Sequence, residues 1–401
     1  ISYGKIRGSI GQLLNTLGIG QLNALYTINP QQYNGNILTS APNNLVDPAL
    51  QGATNVEKEL GLEMRFMKNR FGFNVTYWDR TNKDFPVNVT VTGTTGYTAV
   101  SRNAGELAKQ GWDVTAFVKP IQSKNFDWDI SGTWGYLTKN EVVSIFPGIN
   151  RLVLSSGAFS TSFAAYSVNQ VGSQWGEMFG GGIKKVNGVP ELTSNGLYVR
   201  EADVNFGSVL PQYTGGVQNT FNIFKNFTVN VNIDYSYGGK FFSLSDFWGT
   251  FSGLTARTAG TNDIGNPVRN PVELDGSGNP LPHSGGVHVF GVDNTGKAVD
   301  YYVDAQTYYH QFQGRVIAEN SIYDLTFVKL RELSIGYKVP VEKLGIGRYV
   351  KTAIFSVVSR NPWLIYSKTK GFDPSEISNV YGEDGQLPGT RSVGVNLKLG
   401  F

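Results

Sequence analysis

The sequence predicts an all-β protein of about ten strands, drawn from a large antiparallel transmembrane β-barrel with long extracellular loops. Three observations predict it: a period-two alternation of apolar and polar residues that recurs along the chain, connections that alternate between short and long, and a composition poor in charge and rich in aromatics. Charged residues make up 16% and aromatics 13% of the 401 residues, where an ordinary soluble domain is roughly a quarter charged. No stretch approaches the roughly 18 continuous apolar residues of a spanning helix, so strands are the expected spanning elements. Zero cysteines fit passage through an oxidising compartment without disulfides. A net charge of +3 is too small and too dispersed for a nucleic-acid surface.

Only an extended strand places every second side chain on one face. The first strand is expected at Tyr3–Gln12. Leu60, Leu62, Met64 and Phe66 then share a face with Phe71, Phe73, Val75 and Tyr77 across the turn Met67–Arg70, which reads as a hairpin. Gly111–Val118 follows, then Phe126, Trp128, Ile130, Trp134 and Tyr136 alternating with Asp127, Asp129, Ser131 and Thr133. Tyr213–Ile223 precedes the clearest case, in which Phe227, Val229, Val231, Ile233, Tyr235 and Tyr237 oppose Thr228, Asn230, Asn232, Asp234 and Ser236. That is the length a tilted spanning strand needs. Phe327–Tyr337 and Lys351–Ser359 lead to the final strand, where Val393, Val395, Leu397, Leu399 and Phe401 oppose Ser392, Gly394, Asn396, Lys398 and Gly400. Phe117 and Arg331 interrupt the alternation.

The turns Met67–Arg70, Lys119–Asn125, Phe224–Asn226 and Lys338–Val350 are short. The stretches Leu13–Asn55, Asp79–Gln110, Leu137–Gln212, Gly238–Thr326 and Arg360–Arg391 are long. Short periplasmic turns and long extracellular loops are the outer-membrane pattern. Tyr77, Trp78, Trp134, Tyr136, Tyr235, Tyr237 and Tyr337 stand at strand ends, where an amphipathic ring suits a membrane interface.

Several segments carry a resemblance. The opening Tyr3-Gly-Lys-Ile-Arg-Gly-Ser, the run Asn55-Val-Glu-Lys-Glu-Leu-Gly-Leu-Glu with Asn69-Arg-Phe and Tyr77-Trp-Asp-Arg-Thr, and the return Thr94-Thr-Gly-Tyr, Asn103-Ala-Gly-Glu and Gly111-Trp-Asp-Val come first. Val171-Gly-Ser-Gln-Trp-Gly-Glu-Met-Phe-Gly, Leu210-Pro-Gln-Tyr-Thr-Gly-Gly and Tyr237-Gly-Gly-Lys follow. Phe327-Val-Lys-Leu-Arg-Glu-Leu-Ser-Ile-Gly-Tyr, Ser359-Arg-Asn-Pro-Trp and Gly371-Phe-Asp-Pro-Ser-Glu close the series. In order and spacing these resemble the C-terminal barrel half of SusC/RagA-like TonB-linked outer-membrane transporters of the Bacteroidetes type. The usual Trp-Glu before the first hairpin is replaced by Gly52-Ala-Thr-Asn, and Asn361-Pro is a variant.

The resemblance implies residues 1–401 as a single incomplete domain of a plugged barrel of about twenty-two strands, with the signal sequence, TonB-interacting segment and plug domain upstream. The chain starts at Ile1 with no leader pattern and is read as an interior cut. It implies residence in the outer membrane and TonB-dependent import of large oligosaccharides or peptides. Its partners would be a SusD-like surface lipoprotein as lid, TonB through the missing N-terminal part, the rest of its own barrel and plug, and outer-membrane lipid. Leu137–Gln212 and Gly238–Thr326 are the expected lid contacts, and Phe401 the expected assembly signal. The competing reading is a non-transporting extracellular glycan-binding or adhesin β-module, in which the alternating apolar faces would pack together.

Aromatics set among polar, Gly-rich loops mark candidate ligand or lid contacts: Trp175, Trp248, Tyr301, Tyr302, Tyr308 and Tyr309, with Phe241 and Phe242 beside them. The alternative for each is packing of the loops on one another or on a neighbouring lipoprotein lid. Asp127, Asp129, Asp234, Glu63 and Arg65 are expected to face the lumen. His283, His288 and His310 lack zinc-protease spacing, and no nucleotide-binding or nucleophile-elbow pattern occurs, so no enzyme is expected. Asp275-Gly-Ser-Gly-Asn279 suggests a calcium loop or a Gly-rich hairpin turn; no other cofactor is expected.

Overall fold

A computed structural model describes residues 1–154, 165–377 and 382–401. The chain divides into two compact units, one of Ile1–Ile121, Asp129–Leu152 and Asn169–Trp175, the other of Gln122–Trp128, Val153–Val168 and Gly176–Phe401.

In the first unit, β1 (Tyr3–Leu14), β2 (Thr54–Phe66), β3 (Phe71–Thr90) and β4 (Ala99–Gln122) pair in chain order, each antiparallel to the next, with β5 (Phe126–Ser144) beside β4. The β2–β3 turn is the expected one. Met67, Lys68 and Asn69 take left-handed φ values of 49°, 54° and 67° there. The stretch Asp79–Gln110, expected as a long loop, is instead a hairpin extension paired from Phe71↔Val118 to Thr90↔Ala99. The reason is chemical: Asp79–Asp84, directly past Trp78, are polar on both faces, so the hydrophobic periodicity is interrupted while the backbone ladder continues. Cross-strand ion pairs Arg80–Glu57 (2.8 Å) and Lys83–Glu106 (3.3 Å) accompany the extension. Phe117, the odd aromatic, lies across the strand from Gly72 and its ring fills the space a Cβ there would occupy. Trp78 covers Gly111 in the same way.

In the second unit, β6 (Tyr213–Ile223), β7 (Phe227–Tyr237), β8 (Phe327–Val339), β9 (Thr352–Ser367) and β10 (Ser392–Gly400) pair in chain order, all antiparallel. Their register aligns apolar residues into rows. One row runs Ile223–Phe227–Tyr337–Phe355–Leu397, the next Phe221–Val229–Ile335–Val357–Val395. Ile335, Phe355, Val357, Val395 and Leu397 are exposed. The opposite face carries a polar ladder: Thr220 donates to Asn230 (2.9 Å), Asn230 to Ser334 (3.2 Å) and Thr228 to Asn222 (3.0 Å). From Phe227 to Tyr237 the strand rises roughly 34 Å at about 3.4 Å per residue. At a tilt near 40° it spans about 26 Å, the height of the apolar band of a membrane barrel.

Arg331, the second interruption, is an extra residue in a β-bulge. Asn232 pairs with Glu332 and Ile233 with Leu330, leaving Arg331 unpaired. Without that insertion Leu330 and Leu333 could not both lie on the apolar face, since the side-chain period is two. The bulge also re-aims the guanidinium, whose Nε lies 2.7 Å from the Asp234 carboxylate.

Candidate ligand region in the long loops

The connection between β7 and β8 carries two helices and a hairpin and packs against the neighbouring loops. The helix α1 (Leu244–Phe251) starts at Ser243, whose side chain accepts the Asp246 amide, and α2 (Ala305–Gly314) starts at Asp304, which accepts the Thr307 amide. Such caps satisfy backbone donors at a helix start. His310 on α2 stacks on Phe251 of α1 with ring centroids 4.2 Å apart. Phe241 and Phe242 are wholly buried and pack on Tyr323, Phe372 and Phe247. They are core, not contact surface, because the short strand Lys240–Ser243 is sandwiched between Ile322–Asp324 and Gly382–Glu383.

Between helices lies a hairpin, Val287–Val292 with Ala298–Val303. His288 on it is held from both sides, Nδ1 lying 2.7 Å from Asp263 and Nε2 2.7 Å from Asp300. Its ring stacks flat on Tyr302, with centroids 4.6 Å apart, and the Tyr302 hydroxyl donates to Asp263 (2.8 Å). Burial pulls His288 down, yet the Asp300 and Asp263 carboxylates outweigh it and hold the imidazole above its ordinary value. Burial and the Asp263 carboxylate push Tyr302 up to about 12. A raised folded-state value contributes stability that is fully present below the unfolded value and is lost as pH rises through the folded one. The protection of residues 287–303 against hydrogen exchange, measured relative to the unstructured peptide at the same pH, is therefore expected to fall above neutral pH, and His288→Gln to remove that fall.

The candidate aromatics separate by environment. Tyr308 and Tyr309 serve the loop's interior: Tyr308 meets Tyr198 edge to face and burial drives its phenol far upward, while the Tyr309 hydroxyl donates to the Arg257 carbonyl (2.6 Å). Tyr301 is 42% and Trp248 38% exposed. Tyr301 and Tyr302 line an open cavity of about 1090 Å³ with Thr193, Ser194, Asn279 and Asn294. A second cavity of about 860 Å³ is lined by Arg257, Tyr323, Phe372, Leu254 and Glu376. Trp175, in the first unit, lies under the Lys109 ammonium at 4.6 Å from its ring centre. Phe401 follows β10 and is exposed. Of the loop Leu137–Gln212, residues 155–164 lie outside the described residues.

Among the polar residues, Glu63 pairs with Arg65 (2.8 Å) and Asp129 with Lys119 (3.3 Å), while Asp127 accepts the Ser123 amide. Asp275 accepts the amides of Ser277 (2.8 Å) and Asn279 (2.9 Å), the geometry of a hairpin turn. Among the described residues no group of three or more His, Asp or Glu is arranged to hold a metal.

One feature of the second unit gave little sequence signal. Lys329 on β8 is 2% exposed, and its ammonium reaches Asp373 (2.7 Å), Glu376 (3.0 Å) and Ser375 (3.0 Å). Arg331 joins Glu376 as well. The latch ties Gly371-Phe-Asp-Pro-Ser-Glu to the polar face of the sheet. Burial raises Asp373 and Glu376, but Lys329 and its neighbours outweigh it and hold both below the ordinary carboxylate range.

No family model matches the chain. TonB-dependent receptor P3 of Formosa agariphila is 22% identical over 419 residues, covering 96% of this chain and 37% of that protein. TonB-dependent receptor P26 of the same organism is 23% identical over 428 residues, covering 100% and 39%. A third, receptor P39, is 26% identical over 127 residues, 32% of this chain and 12% of its own length. The chain thus spans under two-fifths of the curated relatives it matches. Among solved structures, the RagAB peptide transporter superposes with a TM-score of 0.70 at 17% identity, over 99% of this chain and 40% of that one. The RagAB peptide importer in its open-open state gives 0.65 at 18%, with the same coverage. The sequence relatives are thus TonB-dependent receptors, and the chain has the fold of the matching part of RagAB, a likeness that agrees with the SusC/RagA-like outer-membrane β-barrel expected from the sequence.

Proposed function

We propose that the chain supplies wall strands and extracellular loops to an importer that takes up large oligosaccharides or peptides through the outer membrane with TonB, and that a SusD-like lipoprotein closes on its loops. The observation that carries this reading is the inversion of the sheet in the second unit, with apolar rows exposed and a hydrogen-bonded polar ladder on the other face. A channel wall requires polar residues toward the lumen and apolar ones toward lipid. The loops add an open cavity bearing Tyr301 and Tyr302, and an exposed Trp248 on α1. Within this reading Gly238–Thr326 meets the lid and Phe401 is the mark by which the barrel is assembled.

The test is uptake by cells producing the intact receptor. Deleting the receptor is expected to abolish growth on one class of oligosaccharide or peptide. Tyr301→Ala with Trp248→Ala is expected to lower uptake of that cargo about tenfold, as loss of two aromatic contacts would. Unchanged growth of the deletion strain on every such nutrient supplied would refute importer activity.

A further inference from the structure

The short-turn end of the second unit is strongly basic, although the chain as a whole carries only +3. Residues 122–128, 224–226 and 338–351 hold Lys124, Lys225, Lys338, Lys343, Arg348 and Lys351, six cations, against the two carboxylates Asp127 and Glu342. All six cations are exposed. Asp127 is engaged by the Ser123 amide. Among the described residues, Lys124, Lys225, Lys338, Lys343 and Arg348 form no ion pair.

Backbone hydrogen bonds place these connections side by side at one end of the sheet. The Phe224 amide donates to the Asn125 carbonyl, the Lys338 amide to Asn226 and the Lys351 amide to Gly400, each at 2.7 Å. Interleaved with the cations are exposed apolar side chains: Phe224 at 66%, Leu344 at 60%, Tyr349 at 72%, and Ile346. The row Phe227–Tyr337–Phe355 lies immediately inside them, at the depth where aromatic girdles mark the membrane interface. The cations therefore stand at headgroup depth, and the apolar side chains between them at the acyl boundary. Basic residues alternating with apolar ones at that depth are the composition of a surface that binds anionic lipid.

We propose that this rim retains anionic phospholipids of the periplasmic leaflet, the ammonium and guanidinium groups binding the phosphodiester while Phe224, Leu344, Ile346 and Tyr349 pack on the acyl chains. A soluble acidic protein would be met by the charge but would leave the exposed Phe224, Leu344, Ile346 and Tyr349 uncovered. The first unit's turn Met67–Arg70 by itself also carries two cations, Lys68 and Arg70, and no carboxylate. The inference is independent of the cargo.

The experiment compares intact receptor purified from outer membranes in mild detergent with a variant carrying Lys225→Gln, Lys338→Gln, Lys343→Gln and Arg348→Gln. Bound lipid is measured by native mass spectrometry, and binding is repeated in nanodiscs of phosphatidylcholine with and without phosphatidylglycerol. Each juxtamembrane cation contributes about fivefold in affinity, so the variant is expected to lose retained anionic lipid at least tenfold while zwitterionic lipid is unchanged. A charge-conserving variant, Lys225→Arg, Lys338→Arg and Lys343→Arg, is expected to retain it, which separates lost charge from lost folding. Equal retention by wild type and glutamine variant would overturn the proposal. So would displacement of the bound species by inorganic phosphate alone, or capture of an acidic periplasmic protein with lipid content unaffected.

Discussion

Val231→Arg is expected to destabilise the folded barrel by about 2–4 kcal/mol, the cost of an arginine near the middle of a lipid-facing strand. Asn232→Arg, one residue on, is expected to cost little. Val231 stands near the centre of β7, between Asn219 and Leu333 on the apolar face. Asn232 points to the other face and is exposed. Reversible unfolding of the intact receptor in lipid vesicles, followed by tryptophan fluorescence, reads the difference. Two equal effects would mean that the two faces do not meet different solvents.

The second large effect is expected at the latch. Lys329→Met removes the one buried cation between Asp373 and Glu376 and leaves both carboxylates facing a site they were held in by charge. The loss is expected to cost about 1–3 kcal/mol, between the surface and the fully buried case, because Asp373 and Glu376 stay about a third exposed. Arg331 still reaches Glu376, so the loss falls mainly on Asp373. The expected outcome is release of the Gly371–Glu376 segment, read as faster hydrogen exchange and new protease cleavage there. Strands β7, β8 and β9 keep their protection. Acid should do the same without mutation. The folded-state values of Asp373 and Glu376 lie below their ordinary ones, so their contribution is present above the unfolded value and is lost as pH falls through the folded one. Release is expected below about pH 4, where unperturbed carboxylates titrate.

These effects also show which features were legible in the sequence. The ten spanning strands were readable because lipid selects one face and the lumen the other, which writes a period of two into the residues themselves. Phe227–Tyr237 is the plainest example. The extension of β3 and β4 beyond Trp78 was not readable, since the polar run Asp79–Asp84 interrupts the alternation before Phe85, Val89 and Leu107 resume apolar packing. Arg331 was visible as an anomaly. Its identity as a bulge required knowing that Leu330 and Leu333 pair with Ile233 and Val231, residues about a hundred positions away.

The loop region was the least legible. Phe241 and Phe242 look like Tyr301 and Trp248 in sequence, each an aromatic among Gly and polar residues. They differ only in that Ile322–Asp324 and Gly382–Glu383 return to cover the first pair. The clamp on His288 likewise joins residues 263, 288 and 300, whose spacing follows no local motif. Lys329 carried a faint signal, a lysine on the same face as buried Phe327, with the acidic Asp373-Pro-Ser-Glu376 as its unrecognised partner.

The central claim is that the apolar rows of the second unit face lipid and the polar ladder faces an aqueous lumen. Because the chain has no cysteine, single cysteines at Val357 and Ser356 of the intact receptor, provided it too lacks other cysteines, can carry a nitroxide without background. Their accessibility to oxygen and to a water-soluble nickel chelate is then compared in a reconstituted bilayer. The account predicts oxygen-dominated relaxation at Val357→Cys and nickel-dominated relaxation at Ser356→Cys. Nickel-dominated relaxation at both would contradict it, since the apolar rows would then lie in water.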